Sequence, residues 1–342
     1  MPKFRLYYEL TSECNLRCSY CFEKEYPSNA LSFEDVCRFH TRVSGIVSDI
    51  VITGGEPFLH PEIYQAIEWF SSATPVTVTT NGTHVDSSRI IDLLSKYPNF
   101  HLQISLDSLS SEIMGQLRGK HTLAKILKLI EICRAFSAQL GISATVTKAN
   151  LNCVPELISF ARETGISIYF PALIPSGGLA ANWYKLMPSV NEYIEFEDFL
   201  LSKIANDAQN LIASNKVDRI LSRYFISDDE VRAIKIDARG NVIACPASDS
   251  SCSDTVITTI DEVESESILL ALLAKTPGCT SANLLSASCC HCKYEAMCRG
   301  EFCGNCIYMK SQNRPILEYI CQSYFHHFEN IAKMEEQHEG AT

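Results

Sequence analysis

Cys14-Asn15-Leu16-Arg17-Cys18-Ser19-Tyr20-Cys21 is the stretch on which the reading of the 342-residue chain turns. It follows Arg5-Leu-Tyr-Tyr-Glu-Leu-Thr11, which is rich in β-branched and aromatic residues and holds no breaker, so it reads as a strand. The three cysteines therefore sit in the loop after a first strand. Three thiolates at a CxxxCxxC spacing can hold three irons of a cubane and leave the fourth open. A cluster that only carries electrons normally has all its irons capped by protein. The same residues also fit a zinc site or a disulfide pair.

The following 150 residues alternate strand-like and helix-like segments. Strands are expected at 49–53, 75–80, 101–106, 142–147 and 166–170. Helices are expected near 32–46, 61–72, 86–97, 121–139 and 153–164, the first opened by Ser32-Phe-Glu-Asp35, a capping sequence. Such alternation gives a parallel sheet, here an open (β/α)6 partial barrel of the TIM type, with its ligand site at the carboxyl ends of the strands. Residues 173–187 read as loop and 189–214 as one long amphipathic helix.

Composition narrows the class. Hydrophobic residues at 46% and charged residues at 20% describe a globular protein. No apolar run is long enough to span a bilayer and the N-terminus lacks a signal-peptide core, so a cytoplasmic protein is expected. A net charge of -11 argues against a nucleic-acid groove and tolerates a basic peptide or a neutral small molecule. Without an export signal, 16 cysteines point to metal or redox use rather than disulfides. Ten lie between Cys245 and Cys321, which marks a second, metal-rich domain. The expected division is 1–215 and 216–342. Cys37, Cys133 and Cys153 read as buried apolar residues in helices.

The CxxxCxxC loop, with Tyr20 before its last cysteine, resembles the signature loop of the radical S-adenosylmethionine (radical SAM) superfamily. That resemblance implies a [4Fe-4S] cluster on Cys14, Cys18 and Cys21 whose open iron binds S-adenosylmethionine, which one electron cleaves to a 5′-deoxyadenosyl radical. Tyr20 and Phe22 would lie beside the cofactor. Gly54-Gly55-Glu56-Pro57 resembles the family's segment at the methionine amino group. Its two glycines would let the backbone approach a ligand, and Glu56 would accept from the ammonium; a Gly-Pro turn is the alternative. Asn81 is a polar contact or a turn residue. Ser105 and Asp107 resemble the family's "SLD" strand end, and Arg118 its frequent "RG", either a carboxylate ligand or a solvent-facing residue.

The C-terminal cysteines resemble the SPASM extension of radical SAM peptide and sulfatase maturases. A hairpin, Val231–Asp237 and Val242–Cys245, supplies its Gly240-x4-Cys245. Cys289, Cys292, Cys298 and Cys321 match the outer auxiliary cluster, and Cys303 the ligand that returns to the inner one. The family's two cysteines upstream of the hairpin are missing, so Cys252, Cys279 or Cys306 would complete an inner [4Fe-4S] cluster, or it is incompletely ligated or absent. Cys290-His291 keeps a zinc reading open. The expected architecture is thus α/β: the partial barrel, a small cysteine-rich SPASM/twitch-like domain and a C-terminal helix.

The resemblance implies hydrogen abstraction from a ribosomally made precursor peptide, ending in a thioether or carbon–carbon crosslink or an epimerised centre. Implied partners are that peptide and an electron donor such as flavodoxin or ferredoxin. Because strand one begins within five residues of Met1, no N-terminal peptide-binding winged helix is expected, and a separate protein could hold the leader. A dehydrogenase of a small molecule and a sulfatase maturase are competing enzyme readings. A non-catalytic iron–sulfur or zinc protein is the reading from another class.

Overall fold

The structure is a computed structural model. It describes residues 3–21, 28–135, 139–171, 173, 183–207, 211–214, 232–243, 256–275, 319, 321–322 and 325–330. One sheet of ten strands forms its frame. Six strands follow the chain in order and pair in parallel: β1 (Phe4–Thr11), β2 (Val47–Gly54), β3 (Val76–Thr80), β4 (Phe100–Ser105), β5 (Leu140–Ser143) and β6 (Ser167–Phe170).

Each expected strand is present, with ends shifted by a few residues. The helices between them are α1 (Phe33–Val43), α2 (Ile63–Ser71), α3 (Ser87–Lys96), α4 (Ser111–Leu117), α5 (Thr122–Arg134) and α6 (Val154–Thr164). Local sequence explains their starts. Ser32 accepts from the Asp35 N–H and caps α1, and Asp86 accepts from Ser88 and Arg89 to cap α3. Gly165, at φ 70°, ends α6 in the left-handed conformation that glycine adopts at little cost. The short helix α4 was not expected from the sequence.

The sheet is two-sided because strand side chains alternate. Tyr8, Ile50, Ile52, Val76, Val78, Leu102, Ile104, Ile142 and Ile168 are buried. This set faces the helices: Tyr8 stacks on Phe70 of α2 and meets Phe39 of α1 edge-on. The alternate set is mostly polar: Glu9, Thr53, Thr79, Gln103, Ser105, Ser143 and Tyr169, with Tyr7 and Val51 among them. Across it Thr79 donates to Gln103, and Lys235 pairs with Glu9 at 3.2 Å. The inner face of the partial barrel is therefore hydrophilic.

Two expectations fail beyond β6. The helix over 189–214 stops at Ala205: α8 is Val190–Ala205, opened by a Ser189/Glu192 capping box, and the single turn α7 (Trp183–Leu186) precedes it inside the expected loop. Ile212–Ser214 is instead β7, a further parallel strand beside β6. Asp207, just beyond the helix, takes the Ile212 N–H at 2.6 Å. The predicted hairpin is present as β8 (Arg232–Ile236) and β9 (Asn241–Ile243), followed by β10 (Val256–Thr259). β8 also pairs in parallel with β1, so the sheet continues beyond residue 215. Cys133 is buried in α5 as expected, but Cys37 and Cys153 are only half-buried. The expected C-terminal helix appears at 325–330.

His40 offers a test of this core. Its ring lies between Trp69 and Phe70, with Nδ1 3.4 Å from the Tyr8 hydroxyl. Burial lowers its pKa to about 4. The unfolded chain therefore takes up a proton near pH 6.5 that the folded chain resists until about 4. The stability contributed by neutral His40 is complete above pH 6.5 and is lost as pH falls through that window. In urea unfolding, His40→Gln should flatten this part of the pH dependence relative to wild type; identical slopes would mean that His40 titrates normally.

Candidate functional site

The cysteine loop lies across the carboxyl ends of the central strands. Its backbone is held first by β2: Gly55 N–H donates to Thr11 O at 2.8 Å, and Glu56 N–H to Glu13 O at 2.7 Å. Here the two glycines are required. Gly54 has φ +123°, and a Cβ there would stand 2.4 Å from Thr11 O; at Gly55 it would meet Glu13 O at 2.0 Å. Both contacts are with protein backbone. What comes close is the cysteine loop itself.

Two more strand ends fix the loop. Asn81, after β3, donates to Asn15 Oδ1 at 2.8 Å, and Asn15 donates to Thr83 Oγ1 at 2.8 Å. Ser19 N–H donates to Leu117 O at the end of α4, also at 2.8 Å. A short turn, Cys21 N–H to Cys18 O at 3.1 Å, then sets the last two cysteines.

The three thiols are half-buried and unpaired. Burial raises the Cys18 pKa to about 11, a rise that the Arg118 charge partly offsets and the other two thiols add to. Burial likewise raises Cys14, against the pull of the Leu16 N–H, with Cys21 adding to the rise. A cationic group of metal ions would hold such mutually repelling thiolates deprotonated. Among the described residues, their sulfurs are not a set that lies within 4.8 Å of one another. A single zinc binding thiolates at about 2.3 Å would draw them to roughly 3.8 Å spacing. The donor set fits a larger iron–sulfur cluster better than one ion.

Glu56 is fully buried, and desolvation raises its pKa. Its Oε1 accepts from Phe58 N–H at 3.1 Å and Thr80 Oγ1 at 2.6 Å, and its Oε2 from Asn81 N–H at 2.7 Å. A carboxylate has roughly four acceptor sites, so one remains, on Oε2. Pro57 is buried at the first position of the following short 3-10 turn. Ser105 lies at the end of β4, nearly buried.

Asp107 forms the second buried centre. Arg118 clasps it with two bonds, Nε to Oδ2 at 2.6 Å and Nη2 to Oδ1 at 3.2 Å. Tyr20 donates to Oδ2, and the Thr145 N–H donates to Oδ1 at 3.0 Å. All roughly four acceptor sites are taken, so Asp107 braces the site and has none to offer a cofactor. Arg118 is neither solvent-facing nor spent. It is buried, lies over the Tyr20 ring and keeps donors that face no acceptor among the described residues.

The structure thus brings together Cys14, Cys18, Cys21, Tyr20, Gly54, Gly55, Glu56, Asn81, Asp107 and Arg118. Phe22, Cys245, Cys252, Cys279, Cys289, Cys292, Cys298, Cys303 and Cys306 lie outside the described residues. Cys321 is described as a half-buried helical residue. Sequence reading missed Asn15, Thr83, Thr145 and Asn150. Asn150 donates to the Asp107 and Thr145 carbonyls at 2.9 and 3.0 Å. Asn15, inside the cysteine motif, was the one with a local signal.

Comparison with known proteins gives this geometry a family. A model of the radical SAM superfamily matches residues 8–161, from β1 through α6. The chain carries a radical SAM domain. It is 26% identical over 252 residues to the mycofactocin maturase MftC of Mycobacterium ulcerans, covering 70% of this chain and 68% of that protein. For the Mycobacterium tuberculosis maturase the identity is 25% and the coverage of that protein 64%. An AdoMet-dependent heme synthase of Methanosarcina barkeri is 29% identical over half of each chain. Two solved structures share the fold. Streptococcus suis SuiB bound to precursor peptide SuiA superposes with a TM-score of 0.73 at 18% identity, over 91% of this chain and 74% of SuiB. The anSMEcpe structure with bound AdoMet and Cp18Cys peptide gives 0.75 at 20% identity, over the full length of both.

The Asp107 centre is testable. Arg118→Ala leaves a buried carboxylate without its cation, which costs about 3–5 kcal/mol. Arg118→Lys should recover only part, because a point charge replaces a two-bond clasp. Denaturant unfolding of both variants would read this; equal stability of wild type and Arg118→Ala would show the pair to be dispensable.

Proposed function

We propose that this protein is a radical SAM enzyme that modifies a ribosomally synthesised precursor peptide by abstracting hydrogen from one of its carbons. The observation that carries the reading is the docking of three coupled thiols onto a ring of strand-end polar groups within a radical SAM domain. When bound, a [4Fe-4S] cluster with S-adenosylmethionine would supply one-electron cleavage to a 5′-deoxyadenosyl radical. Everything else falls to the chain itself.

Cys14, Cys18 and Cys21 would hold that cluster. Glu56 Oε2 has one acceptor site for the cofactor's ammonium, and its three protein donors fix the carboxylate in advance. Arg118 has donors left for the cofactor's carboxylate, and Asp107 holds it in place. Ser105, Asn81 and the Tyr20 ring would line the same pocket. Fixed groups of this kind save the orientation cost at the moment of reaction.

The peptide part of the reading rests on two supports. Relatives and fold neighbours include a maturase and a protein solved with its precursor peptide. Moreover, the inner face of the sheet offers Glu9, Thr53, Thr79, Gln103, Ser143 and Tyr169, which suit the amides of an extended peptide. A SPASM-type domain from about residue 216, with auxiliary clusters on the later cysteines, belongs to the same proposal. So does an external one-electron donor.

Two experiments test it. Replacing Cys14, Cys18 and Cys21 together by Ala should remove one cubane's worth of iron and all 5′-deoxyadenosine, while Mössbauer spectra keep the auxiliary clusters. Retained cofactor cleavage would overturn the ligand assignment, and zinc with no iron would overturn the metal-rich reading of the C-terminal region. Glu56→Ala should weaken S-adenosylmethionine binding by about 1.5–3 kcal/mol, the value of a charge-assisted bond. Unchanged affinity would leave Glu56 as a structural brace only.

A further inference from the structure

Two adjacent acidic residues of α8 meet two adjacent histidines of the C-terminal helical residues 325–330. Neighbouring residues on a helix diverge by about 100°, so each pair offers one inner and one outer side chain. The inner pair is buried: His327 Nε2 lies 2.8 Å from Glu197 Oε2, and both side chains are 2% exposed. The outer pair is His326 and Asp198, with Nε2 2.9 Å from Oδ2 and exposures of 33% and 46%.

The pairs are joined at their boundary. His327 Nδ1 lies 3.9 Å from Asp198 Oδ1, too far for a hydrogen bond. Asp198, His326 and His327 each offer one ligand atom, and the three atoms lie within 4.8 Å of one another. They are the only set of three so placed among the described residues.

Taken as neutral imidazoles, the two rings leave an electron pair facing a carboxylate. With its Nε2–H given to Glu197, His327 presents the Nδ1 lone pair toward a carboxylate oxygen. His326 Nε2 meets both Asp198 and, at 3.1 Å, Asn330 Nδ2. One ring nitrogen cannot both donate to Asp198 and accept from Asn330. As a metal ligand, Nε2 would give its single lone pair to a cation beside Asp198 and release the Asn330 amide. A cation at their common centre resolves both conflicts and offsets the charges of Glu197 and Asp198.

We propose that Asp198, His326 and His327 bind a divalent transition metal of the zinc type, which fastens the C-terminal helical segment to α8. Two imidazoles and one carboxylate suit zinc, nickel or copper rather than calcium or magnesium. Bonds of about 2.0–2.2 Å in tetrahedral geometry place ligand atoms roughly 3.4 Å apart, a spacing these atoms reach with small side-chain adjustments. Glu197 stands behind His327 as the carboxylate that fixes a metal-bound imidazole. The fourth position opens to solvent, on the side of the exposed Asp198. The same contact surface is already built without metal: Tyr319 donates to Pro188 O at 3.0 Å and packs on Trp183 and Tyr193, and Phe328 is buried. The metal would lock an existing docking.

The test uses the full-length protein, reconstituted anaerobically with iron and sulfide and then given zinc chloride. Zinc K-edge absorption separates this site from any zinc at cysteines, because nitrogen and oxygen ligands lie at about 2.0–2.2 Å and sulfur at about 2.3 Å. The expected result is one equivalent of zinc with a nitrogen/oxygen shell. It should be absent from Asp198→Asn/His326→Gln at unchanged iron content, and bound about 10–100-fold more weakly by Glu197→Gln. Should the double variant not fold, Asp198→Asn alone, at an exposed position, serves in its place. Wild type with no zinc, zinc with a sulfur shell only, or a nitrogen/oxygen shell that persists in the ligand variant would each overturn the site and leave an ion-paired clasp.

Discussion

The site depends on one backbone contact, the approach of Gly54 and Gly55 to the loop that carries the cysteines. Two N–H···O bonds, from Gly55 to Thr11 and from Glu56 to Glu13, pin that loop to the end of β2. A Cβ at Gly55 would sit 2.0 Å from Glu13 O, so no other residue type permits the contact. Once the loop is seated, the thiols have a fixed relation to Glu56, which is itself tied to Thr80 and Asn81 at the end of the next strand. Position passes from strand to strand through the chain of polar groups at the sheet's end.

Two buried carboxylates serve this arrangement in different ways. Glu56 and Asp107 are both fully buried, and each costs desolvation energy that its partners must offset. Asp107 is satisfied by a cation, a phenol and a backbone N–H, and all its acceptor sites are used. Glu56 has only neutral donors and keeps one site open. Burial without a paired cation raises its pKa, so an arriving ammonium group would be favoured twice, by charge and by hydrogen bond. The unsatisfied carboxylate is the one suited to a ligand and the satisfied one is suited to bracing. Burial alone would not distinguish them.

Much of this was legible in the sequence for reasons that are local. Strand and helix alternation follows from hydrophobic period, and the caps at Ser32 and Asp86 are short-range features. CxxxCxxC, Gly54-Gly55-Glu56-Pro57 and Ser105-Leu-Asp107 each lie within a few residues at strand ends. What was missed is long-range. The Asn15–Asn81–Thr83 network, the clasp on Asp107 from Arg118, Tyr20 and Thr145, and the pairing of β8 with β1 join residues tens to hundreds of positions apart. The stop of α8 at Ala205 was missed for another reason. Its amphipathic pattern continues in composition, but Asp207 takes the Ile212 N–H and residues 212–214 pair with β6. The glycines show a third kind of gap. Their need for close approach was visible, but the Thr11 and Glu13 carbonyls that approach them were not.

The two faces of the sheet set what the fold is free to vary. Outward positions such as Tyr8, Ile52, Val78 and Ile104 are held by packing against helices, where a lost methylene is felt. Inward positions carry Glu9, Thr79, Gln103, Ser105 and Tyr169. A barrel that relied on its interior for stability would fill it with branched apolar side chains in layers. This one does not, so its stability resides in the outer layer and the inner face is left to chemistry. Glu9 and Lys235 show the consequence. They place an ion pair on the inner face at the seam where β8 joins β1, with Lys235 fully buried. A buried pair is poor value as stabilisation compared with apolar residues of the same size. Its worth lies instead in fixing a polar wall beside the cysteine loop, which on the proposed reading is the wall that the substrate meets.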